Sequence, residues 1–338
     1  MALQDRPSHL SVILDLSPTQ WHLSAAASSH PLSLQSFLSQ LFTFLNAHIA
    51  SKNENTLAAF GAFPGKSAML YASTEALIDE APPLDANSFP PFNIVVATVL
   101  QRITRELDSI VNYEEESPCA LVGALTKALC CMSPPLMHIN RITQPGTSVA
   151  NSAEYLAIPS DPRILILSVS PDLSSSYIPI MNAIFSAQKL KVTIDVCKIY
   201  GPDTVFLQQA AHLTNGSYIY LEQRDALLQY LIMSFLPPPS LRKVLVVPKQ
   251  DKIDFRAACF CHKNIVDVGF VCSVCLSIFC QPVPVCSTCR TKFPIKSLQR
   301  LKAACPSPAP LTPRPLANLN NAIPRTIQAT NGGTPRLR

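Results

Sequence analysis

The amino-acid sequence predicts an α/β protein with a doubly wound, mostly parallel sheet, followed by a small cysteine-rich zinc module and a disordered tail. Strand-like and helical patterns alternate through the first 250 residues, five of the twelve cysteines lie within positions 271–289, and the last segment lacks periodicity. The 338 residues, of which 48% are apolar, can bury a large core. We therefore expect an α/β domain at 8–248, a cysteine module at 254–295 and a basic, Pro-rich tail at 300–338.

The first half of the α/β domain is predicted to begin with a strand and a helix. Residues 9–16, HLSVILDL, are aliphatic and indicate a buried strand. Apolar residues at steps of three and four predict a helix over 32–51. The runs TLAAFGAF and SAMLYAS, around Pro64 and Gly65, predict a β-hairpin. The remaining expectations for this half are a Pro-rich loop at 82–92, helices at 94–111 and 119–132, and an irregular insertion at 133–161.

The second half alternates more regularly between strands and helices. RILILSVS at 163–170 is almost continuously aliphatic, which indicates a strand that is buried on both faces, as in a parallel sheet. The expected elements after it are helices at 178–188, 204–213 and 224–235 and strands at 191–197 and 217–221. Crossover helices of this kind cover both faces of a sheet. The prolines at 237–239 end the domain, and KVLVV at 243–247 is a candidate for one more strand.

The distribution of charge and the N-terminal residues argue against a secreted or membrane-spanning protein. Residues 251–338 hold twelve basic and three acidic residues, a net charge of +9, whereas residues 1–250 hold fifteen and nineteen, a net charge of −4. The chain starts without the basic and apolar pattern of a signal peptide, and no apolar run is long enough to cross a bilayer. We therefore expect a soluble, intracellular protein without membrane partners. In a reducing compartment, clustered cysteines bind metal more often than they form disulfides.

Four cysteines form two closely spaced pairs. Cys272 and Cys275 are separated by ten residues from Cys286 and Cys289, and the four thiolates can surround one ion. Zn²⁺ prefers such a tetrahedral sulfur set. The segment has few large apolar residues, so that zinc binding, worth roughly 10–16 kcal/mol in small finger peptides, must supply much of its stability. We expect zinc at these residues and unfolding of the module when any one is removed; the alternative is four buried thiols without metal.

Four further donors surround these pairs. Cys259, Cys261 and His262 precede them, and Cys280 lies in the gap. In a cross-braced, RING-like module, ligand pairs one and three hold the first ion, and pairs two and four hold the second. Here pair three keeps only Cys280, because residues 281–285 contain no ligand. We therefore predict one tightly held zinc; a second ion at these four donors, or a group of packed thiols, is the alternative. Cysteines elsewhere in helix and strand patterns are expected to be ordinary core residues: Cys119, Cys130, Cys131 and Cys197.

A candidate for a second kind of metal site follows the first strand. Residues 15–19, Asp-Leu-Ser-Pro-Thr, resemble the D-x-S-x-S metal loop of the von Willebrand factor A fold, and Asp172 lies where that family places a second aspartate. Oxygen ligands of this kind suit Mg²⁺. The loop departs from the pattern because Thr19 replaces its last serine. Asp15, Ser17 and Asp172 are therefore candidates for a degenerate magnesium site, and the alternative is that such residues cap helices.

Motifs of enzymes are weak in this sequence. Gly65-Lys66-Ser67 resembles the end of a phosphate-binding loop, but the residue five places before Gly65 is Phe60 where the motif requires glycine. Neither a G-x-S-x-G nucleophile elbow nor an H-E-x-x-H zinc pair occurs. We therefore expect no catalytic residues and no small-molecule substrate.

The order of these parts resembles one known family. The segment DFRAACFCHKNIVDVGFVCSVCLSIFCQPVPVCSTC at 254–289 follows LVGALTKALC, IFSAQKLKVTIDVC and LLQYLIMSFLPP. Together these segments resemble the small von Willebrand A/zinc-finger core subunit, of the thirty-four-kilodalton type, of the general transcription and DNA repair factor TFIIH. The resemblance covers about residues 8–295 and leaves out the insertion and the tail.

The resemblance implies a function that the residues alone do not. It implies a non-catalytic subunit of the TFIIH core complex in the nucleus, acting in RNA polymerase II transcription initiation and nucleotide excision repair. It also implies binding to the larger von Willebrand A/zinc subunit, support of the helicases and only indirect contact with DNA. Two other functions remain: a RING-type ubiquitin ligase, against which the incomplete third ligand pair argues, and direct nucleic-acid binding by the basic C-terminal third.

Overall fold

The computed structural model describes residues 7–73, 89–110, 117–132, 161–172, 177–238, 241–245, 253–262 and 264–304. The chain forms two compact units, Met1–Cys280 and Gln281–Arg338. Among the described residues, none of the helices combines the length and the apolar character that crossing a membrane requires.

A six-stranded sheet forms the centre of the first unit. Its strands are β1 (Ser8–Asp15), β2 (Thr56–Phe63), β3 (Lys66–Ala72), β4 (Asp161–Ser168), β5 (Thr193–Lys198) and β6 (Tyr218–Tyr220). They lie in the order β3-β2-β1-β4-β5-β6, and all neighbours are parallel except β2 and β3. The predicted α/β class with a mostly parallel sheet is confirmed. Because parallel strands end at the same edge, the residues after β1, β4 and β5 lie side by side there.

Helices cover both faces of this sheet. They are α1 (Pro18–Ala25), α2 (Leu34–Ser51), α3 (Pro90–Asp108), α4 (Leu121–Cys131), α5 (Tyr177–Leu190), α6 (Val205–Leu213) and α7 (Leu227–Tyr230). Alternate residues of β1 point into the two layers. Val12 belongs to the core that includes residues of α1, α2, α3 and α7, and Ile13 belongs to the core that includes residues of α4, α5 and α6. Burial of the strand in RILILSVS on both faces explains why ILIL and Val169 within that segment are all apolar.

Two helical segments differ from the prediction. Helix α1 was not predicted; Pro18 occupies its first turn, where the missing N–H of proline is not needed. Trp21 anchors this helix, with its ring 4.6 Å from that of Phe37. The predicted helix at 224–235 is irregular: a 3₁₀ turn at Arg224–Ala226 precedes α7, and a π-helical turn at Leu231–Phe235 follows it.

Other differences concern the ends of elements. Helix α3 begins at Pro90, inside the predicted Pro-rich loop, and β4 ends at Ser168, two residues before the predicted end. The candidate strand at 243–247 is wrong for its described part, where Leu241–Lys243 form a 3₁₀ turn. Most of the predicted loop at 82–92 and nearly all of the insertion at 133–161 lie outside the described residues.

Short strands form the start of the cysteine module. In the first unit, β7 (Ala257–Ala258) pairs with β8 (Ile265–Val266), and β9 (Phe270–Val271) pairs with β10 (Ile278–Phe279), both antiparallel. The amide of Gln209, on α6, donates to the carbonyl oxygens of Asp254 at 2.8 Å and Arg256 at 3.2 Å. In the second unit, α8 (Ile295–Ala304) includes residues 300–304, which the sequence placed in the tail; residues 305–338 lie outside the described part of the chain.

Candidate metal centres

Three turns of the cysteine module share one backbone pattern. In each, the N–H of the first cysteine donates to the carbonyl oxygen of the residue five positions later. These hydrogen bonds, each 2.9 Å long, join Cys259 to Asn264, Cys272 to Ser277, and Cys286 to Thr291. The repeat predicts that the position three residues after each first cysteine, which holds Cys275 and Cys289 in the second and third turns, is a ligand position in the first turn as well.

The second and third turns are also alike in their closing residues. Leu276 and Arg290 have φ values of 59° and 58°, in the left-handed region, and their N–H groups donate to Cys272 and Cys286 at 3.0 and 2.9 Å. The thiols of Cys275 and Cys289 lie 3.1 and 3.0 Å from the hydroxyls of Ser277 and Thr291. Each C-x2-C pair is thus held in a tight turn by local hydrogen bonds.

The cluster of Cys259, Cys261, His262 and Cys280 lies wholly in the first unit. One ligand atom of each residue lies within 4.8 Å of those of the others. The sulfur of Cys280 is 3.5 Å from that of Cys261 and 3.1 Å from Nδ1 of His262. A tetrahedral zinc with Zn–S bonds near 2.3 Å keeps its sulfur ligands roughly 3.8 Å apart. These donors therefore fit a zinc ion in both chemistry and spacing.

The second cluster is the set of four predicted zinc ligands, Cys272, Cys275, Cys286 and Cys289. Cys272 and Cys275 belong to the first unit, and Cys286 and Cys289 belong to the second. The first cysteine of each pair is buried and the second is half-buried. Four sulfur donors in two C-x2-C pairs suit zinc.

The two clusters are interleaved along the chain, as in a cross-braced module. The pair Cys272 and Cys275 of one cluster lies between His262 and Cys280 of the other. The sequence argument for one zinc depended on the missing second ligand of pair three. The structure shows that the first turn makes up for it, because Cys261 and His262 both join Cys259. The spacing Cys-x2-His at 259–262, the same as in the two Cys-x2-Cys pairs, is the signal that the sequence analysis did not use.

Thiol ionisation in the first cluster is uneven. Partial burial opposes ionisation of Cys261, but hydrogen bonds from the backbone and thiol of Cys280 outweigh it and lower the pKa of Cys261. Partial burial and the hydrogen bond with Cys261 raise the pKa of Cys280 to about 11. Without a metal, Cys261 thus ionises more readily than Cys280. A bound divalent cation favours the thiolate form of its cysteine ligands.

The predicted magnesium residues lie at the carboxyl edge of the sheet, where Asp15 is fully buried. Its Oδ2 accepts hydrogen bonds from the N–H groups of Val169 at 3.0 Å and Ser170 at 2.7 Å. Its Oδ1 accepts from the hydroxyl of Ser170 at 3.0 Å and from the thiol of Cys119 at 3.2 Å. Protein donors therefore surround both oxygens of this carboxylate.

Asp172 has a different partner. Its Oδ2 accepts a hydrogen bond of 3.1 Å from the N–H of Phe206 in the first turn of α6. Burial raises the pKa of Asp172, and hydrogen bonds from Phe206 and Val205 oppose this effect. The carboxylate thus caps a helix that begins 33 residues later. Ser17 precedes α1 without a capping hydrogen bond from its side chain.

Lys198, at the end of β5, is a residue of this edge that the sequence analysis missed. Its side chain is fully buried, and its ammonium group donates to the carbonyl oxygen of Ser170. Burial lowers the pKa of Lys198 to about 8, against the opposing effect of Asp15, Asp172 and Asp203. A lysine that ends the otherwise apolar strand TIDVCK was the available signal.

The remaining cysteines follow the prediction only in part. Cys197 is a buried core residue, as expected. The prediction is wrong for Cys130, which is exposed, because the buried face of α4 consists of other residues. Cys119 is half-buried and belongs to the hydrogen-bond network of Asp15.

Comparison with known proteins gives consistent matches over most of the chain. A family model described as Transcription factor Tfb4 matches residues 7–290, from β1 to the last of the three turns. General transcription and DNA repair factor IIH subunit tfb4 of Schizosaccharomyces pombe is 38% identical over 299 residues, which cover 88% of this chain and 92% of that protein. Subunit TFB4 of Saccharomyces cerevisiae is 33% identical over 318 residues and covers 88% of this chain and 89% of its own length. The crystal structure of the TFIIH p34 N-terminal domain is 28% identical, with a TM-score of 0.54, and covers 68% of this chain and 97% of that domain.

Proposed function

The chain belongs to the family of transcription factor Tfb4, a TFIIH subunit in transcription and DNA repair, and from this premise we propose that it is a non-catalytic structural subunit of the TFIIH core complex. The observation that carries this proposal is the continuous match over residues 7–290, because it includes the sheet and all three cysteine turns in one order. It acts in RNA polymerase II transcription initiation and in nucleotide excision repair, and it does so in the nucleus.

Its partners are the other TFIIH core subunits, chiefly the larger von Willebrand A/zinc subunit. The chain supports the helicases of the complex through this contact and reaches DNA indirectly. The broad α/β domain, with helices on both faces of its sheet, offers a rigid surface for such contacts.

The cysteine module holds two zinc ions in this proposal. Cys259, Cys261, His262 and Cys280 hold one, and Cys272, Cys275, Cys286 and Cys289 hold the other. When bound, the ions supply structural cross-links between short turns. Each ion has four protein donors, and a closed coordination shell of this kind has a structural function, whereas catalytic zinc keeps one position open for water or substrate.

The chemistry of the sheet edge also supports a non-catalytic function. Asp15 is surrounded by donors, Asp172 caps α6, and the buried Lys198 donates to the carbonyl oxygen of Ser170. These groups satisfy one another and present no acid, base or nucleophile to a ligand.

The experiment that tests this function is purification of the tagged full-length chain from nuclear extract. We expect the TFIIH core subunits to co-purify, with the larger von Willebrand A/zinc subunit retained at the highest salt. Recovery of a folded, zinc-loaded chain without TFIIH subunits would contradict the proposal.

A variant that cannot fold serves as the control for this experiment, because it shows what loss of the TFIIH partners through unfolding looks like. A Cβ at Gly216 would lie 1.8 Å from the carbonyl oxygen of Ile194, so that Gly216→Ala cannot keep the junction of β5 and β6. We expect this variant to lose both its fold, measured by thermal melting, and its partners.

One observation favours a second candidate function. The interleaved ligand clusters have the order of a RING-like module, which in ubiquitin ligases recruits a conjugating enzyme. Incubation of the pure full-length chain with a ubiquitin-charged conjugating enzyme tests this function. The structural proposal predicts an unchanged rate of ubiquitin discharge, and stimulation by the wild type but not by Cys286→Ser would favour the ligase.

A further inference from the structure

Three acidic residues lie at the carboxyl edge of the sheet, where the sequence predicted a degenerate magnesium site. Asp15 ends β1, Asp172 follows β4, and Asp203 lies between β5 and α6. All three carboxylates act electrostatically on the buried ammonium group of Lys198. Asp15 is fully buried, Asp172 is half-buried and Asp203 is exposed, so that a positive charge near Asp15 is needed most.

The donors around Asp15 fit a metal ion poorly. A carboxylate has about four lone-pair positions. In addition to the four hydrogen bonds within 3.2 Å, the hydroxyl of Ser168 lies 3.5 Å from Oδ2 and the N–H of Ser17 lies 3.4 Å from Oδ1. All the lone pairs of Asp15 are thus directed at protein hydrogens, and Mg²⁺, which demands near-ideal octahedral geometry, would have to displace them.

The positive charge at this edge comes from the chain itself. Lys198 is fully buried, and its ammonium donates to the carbonyl oxygen of Ser170, the residue whose N–H and hydroxyl bind Asp15. A Cβ at Gly201 would lie 3.9 Å from Nζ of Lys198, and Gly201 has a φ of 85°. The ammonium group is therefore buried beside Gly201, is held by Ser170, and is near enough to Asp15, Asp172 and Asp203 to interact with them electrostatically.

We propose that the ammonium group of Lys198 takes the place of a divalent cation at the carboxyl edge of the sheet, and that this edge binds no magnesium. The inference is independent of the proposed function. It follows that partners of this edge do not contact it through a shared metal ion.

A magnesium titration of the full-length, zinc-loaded wild type is the direct test. Thermal melting is measured with 0 and ~10 mM MgCl₂ at equal ionic strength, a range in which a site of ~0.1 mM affinity would produce a clear rise of the melting temperature. We expect a shift below about 1 °C, within the range of non-specific salt effects. A rise of several degrees that disappears in Asp172→Asn would overturn the proposal.

A double-mutant cycle tests the position of the charge. Lys198→Met removes the ammonium group and keeps most of its volume; Asp172→Asn removes a negative charge, while the amide oxygen can still accept from Phe206. We expect each single variant to melt several degrees lower and the double variant to melt higher than the sum of the two effects predicts. Lys127→Met, at an exposed lysine on α4, is the matched control and should be additive with Asp172→Asn. Additive effects of Lys198→Met and Asp172→Asn would overturn the proposal, and if the variants fail to fold, the magnesium titration of the wild type decides.

Discussion

At the scale of single residues, His48 gives the α/β domain a defined response to acid. It lies on the buried face of α2, is 1% exposed, and has Nε2 3.4 Å from the carbonyl oxygen of Thr56. Burial, with a smaller contribution from Arg163, lowers the pKa of His48 to about 4. Between pH 6.5 and 4 the unfolded state therefore binds a proton that the folded state does not, and stability falls as the pH falls.

We predict that His48 accounts for a loss of at most roughly 3 kcal/mol of unfolding free energy over this interval. Chemical denaturation at pH 7, 6, 5 and 4 measures it. His48→Gln, which can still donate to Thr56 but does not titrate, should lose less stability on acidification. Equal pH dependence of the two proteins would show that His48 does not have the lowered pKa.

Two ion pairs of the same domain should differ widely in their contribution to the free energy of unfolding. Arg242 binds both oxygens of Asp195 at 2.6 and 2.8 Å, and the two side chains are only 9% and 1% exposed. Lys66 and Glu106 form a pair that is far more exposed. Arg242→Ala leaves Asp195 as a buried carboxylate without its counter-ion and should cost about 3–5 kcal/mol.

The exposed pair supplies the control for this prediction. Lys66→Ala should change the unfolding free energy by no more than about 1 kcal/mol. Urea denaturation of both variants tests the contrast, and comparable losses would mean that burial does not determine the contribution of these pairs.

The sequence predicted the ligands of the cysteine site more completely than it predicted the charged residues at the carboxyl edge of the sheet. The spacing of the four ligand cysteines at 272–289 predicts metal binding, since two C-x2-C pairs occur rarely unless they bind metal. Lys198 has no such spacing. The residues around Lys198 come together only when β1, β4 and β5 pair in the sheet. The function of its charge therefore depends on contacts between residues that are far apart in the sequence.

At the scale of elements, hydrophobic periodicity predicted most helices and strands but not their ends. Helix α1 depends on Trp21, whose ring packs on Phe37 and whose N–H donates to the carbonyl oxygen of Asp15 at 2.8 Å. Such a contact joins residues of different elements and leaves no local pattern. The turn at Leu241–Lys243 likewise depends on the bond from Arg242 to Asp195 on β5, which overrides the β propensity of the valines nearby.

The turns of the cysteine module should depend on their metal ligands one by one. We predict that Cys286→Ser lowers the zinc content below two ions per chain and makes residues 254–304 sensitive to protease. The α/β domain should stay folded, because it has its own two-layer core. Zinc analysis and limited proteolysis of the full chain measure both effects.

Cys130→Ser is the matched control, because Cys130 is exposed on α4 and belongs to neither cluster. It should keep two zinc ions and the protease resistance of the wild type. Full zinc content in Cys286→Ser would remove Cys286 from the ligand set.

At the scale of the whole molecule, the alternation of elements predicted the class of the fold but not the order of its strands. The order β3-β2-β1-β4-β5-β6 puts β1 at the centre and thereby places Asp15 beside Ser170, whose carbonyl oxygen accepts from Lys198. The candidate metal clusters show the same limit. Spacing predicted the donors of the second cluster, while the completion of the first by three donors of one turn, for which the Cys-x2-His spacing was a weaker signal, was established by the structure.

The central claim is that the ions and charges of this chain hold it together and do not act on a substrate. Elemental analysis of the purified full-length chain, after equilibrium dialysis against buffer with Mg²⁺ and subtraction of the metal content of the dialysis buffer, tests it most directly. The account predicts two zinc ions and no magnesium per chain. One zinc or none, or magnesium in a stoichiometric amount, would contradict it.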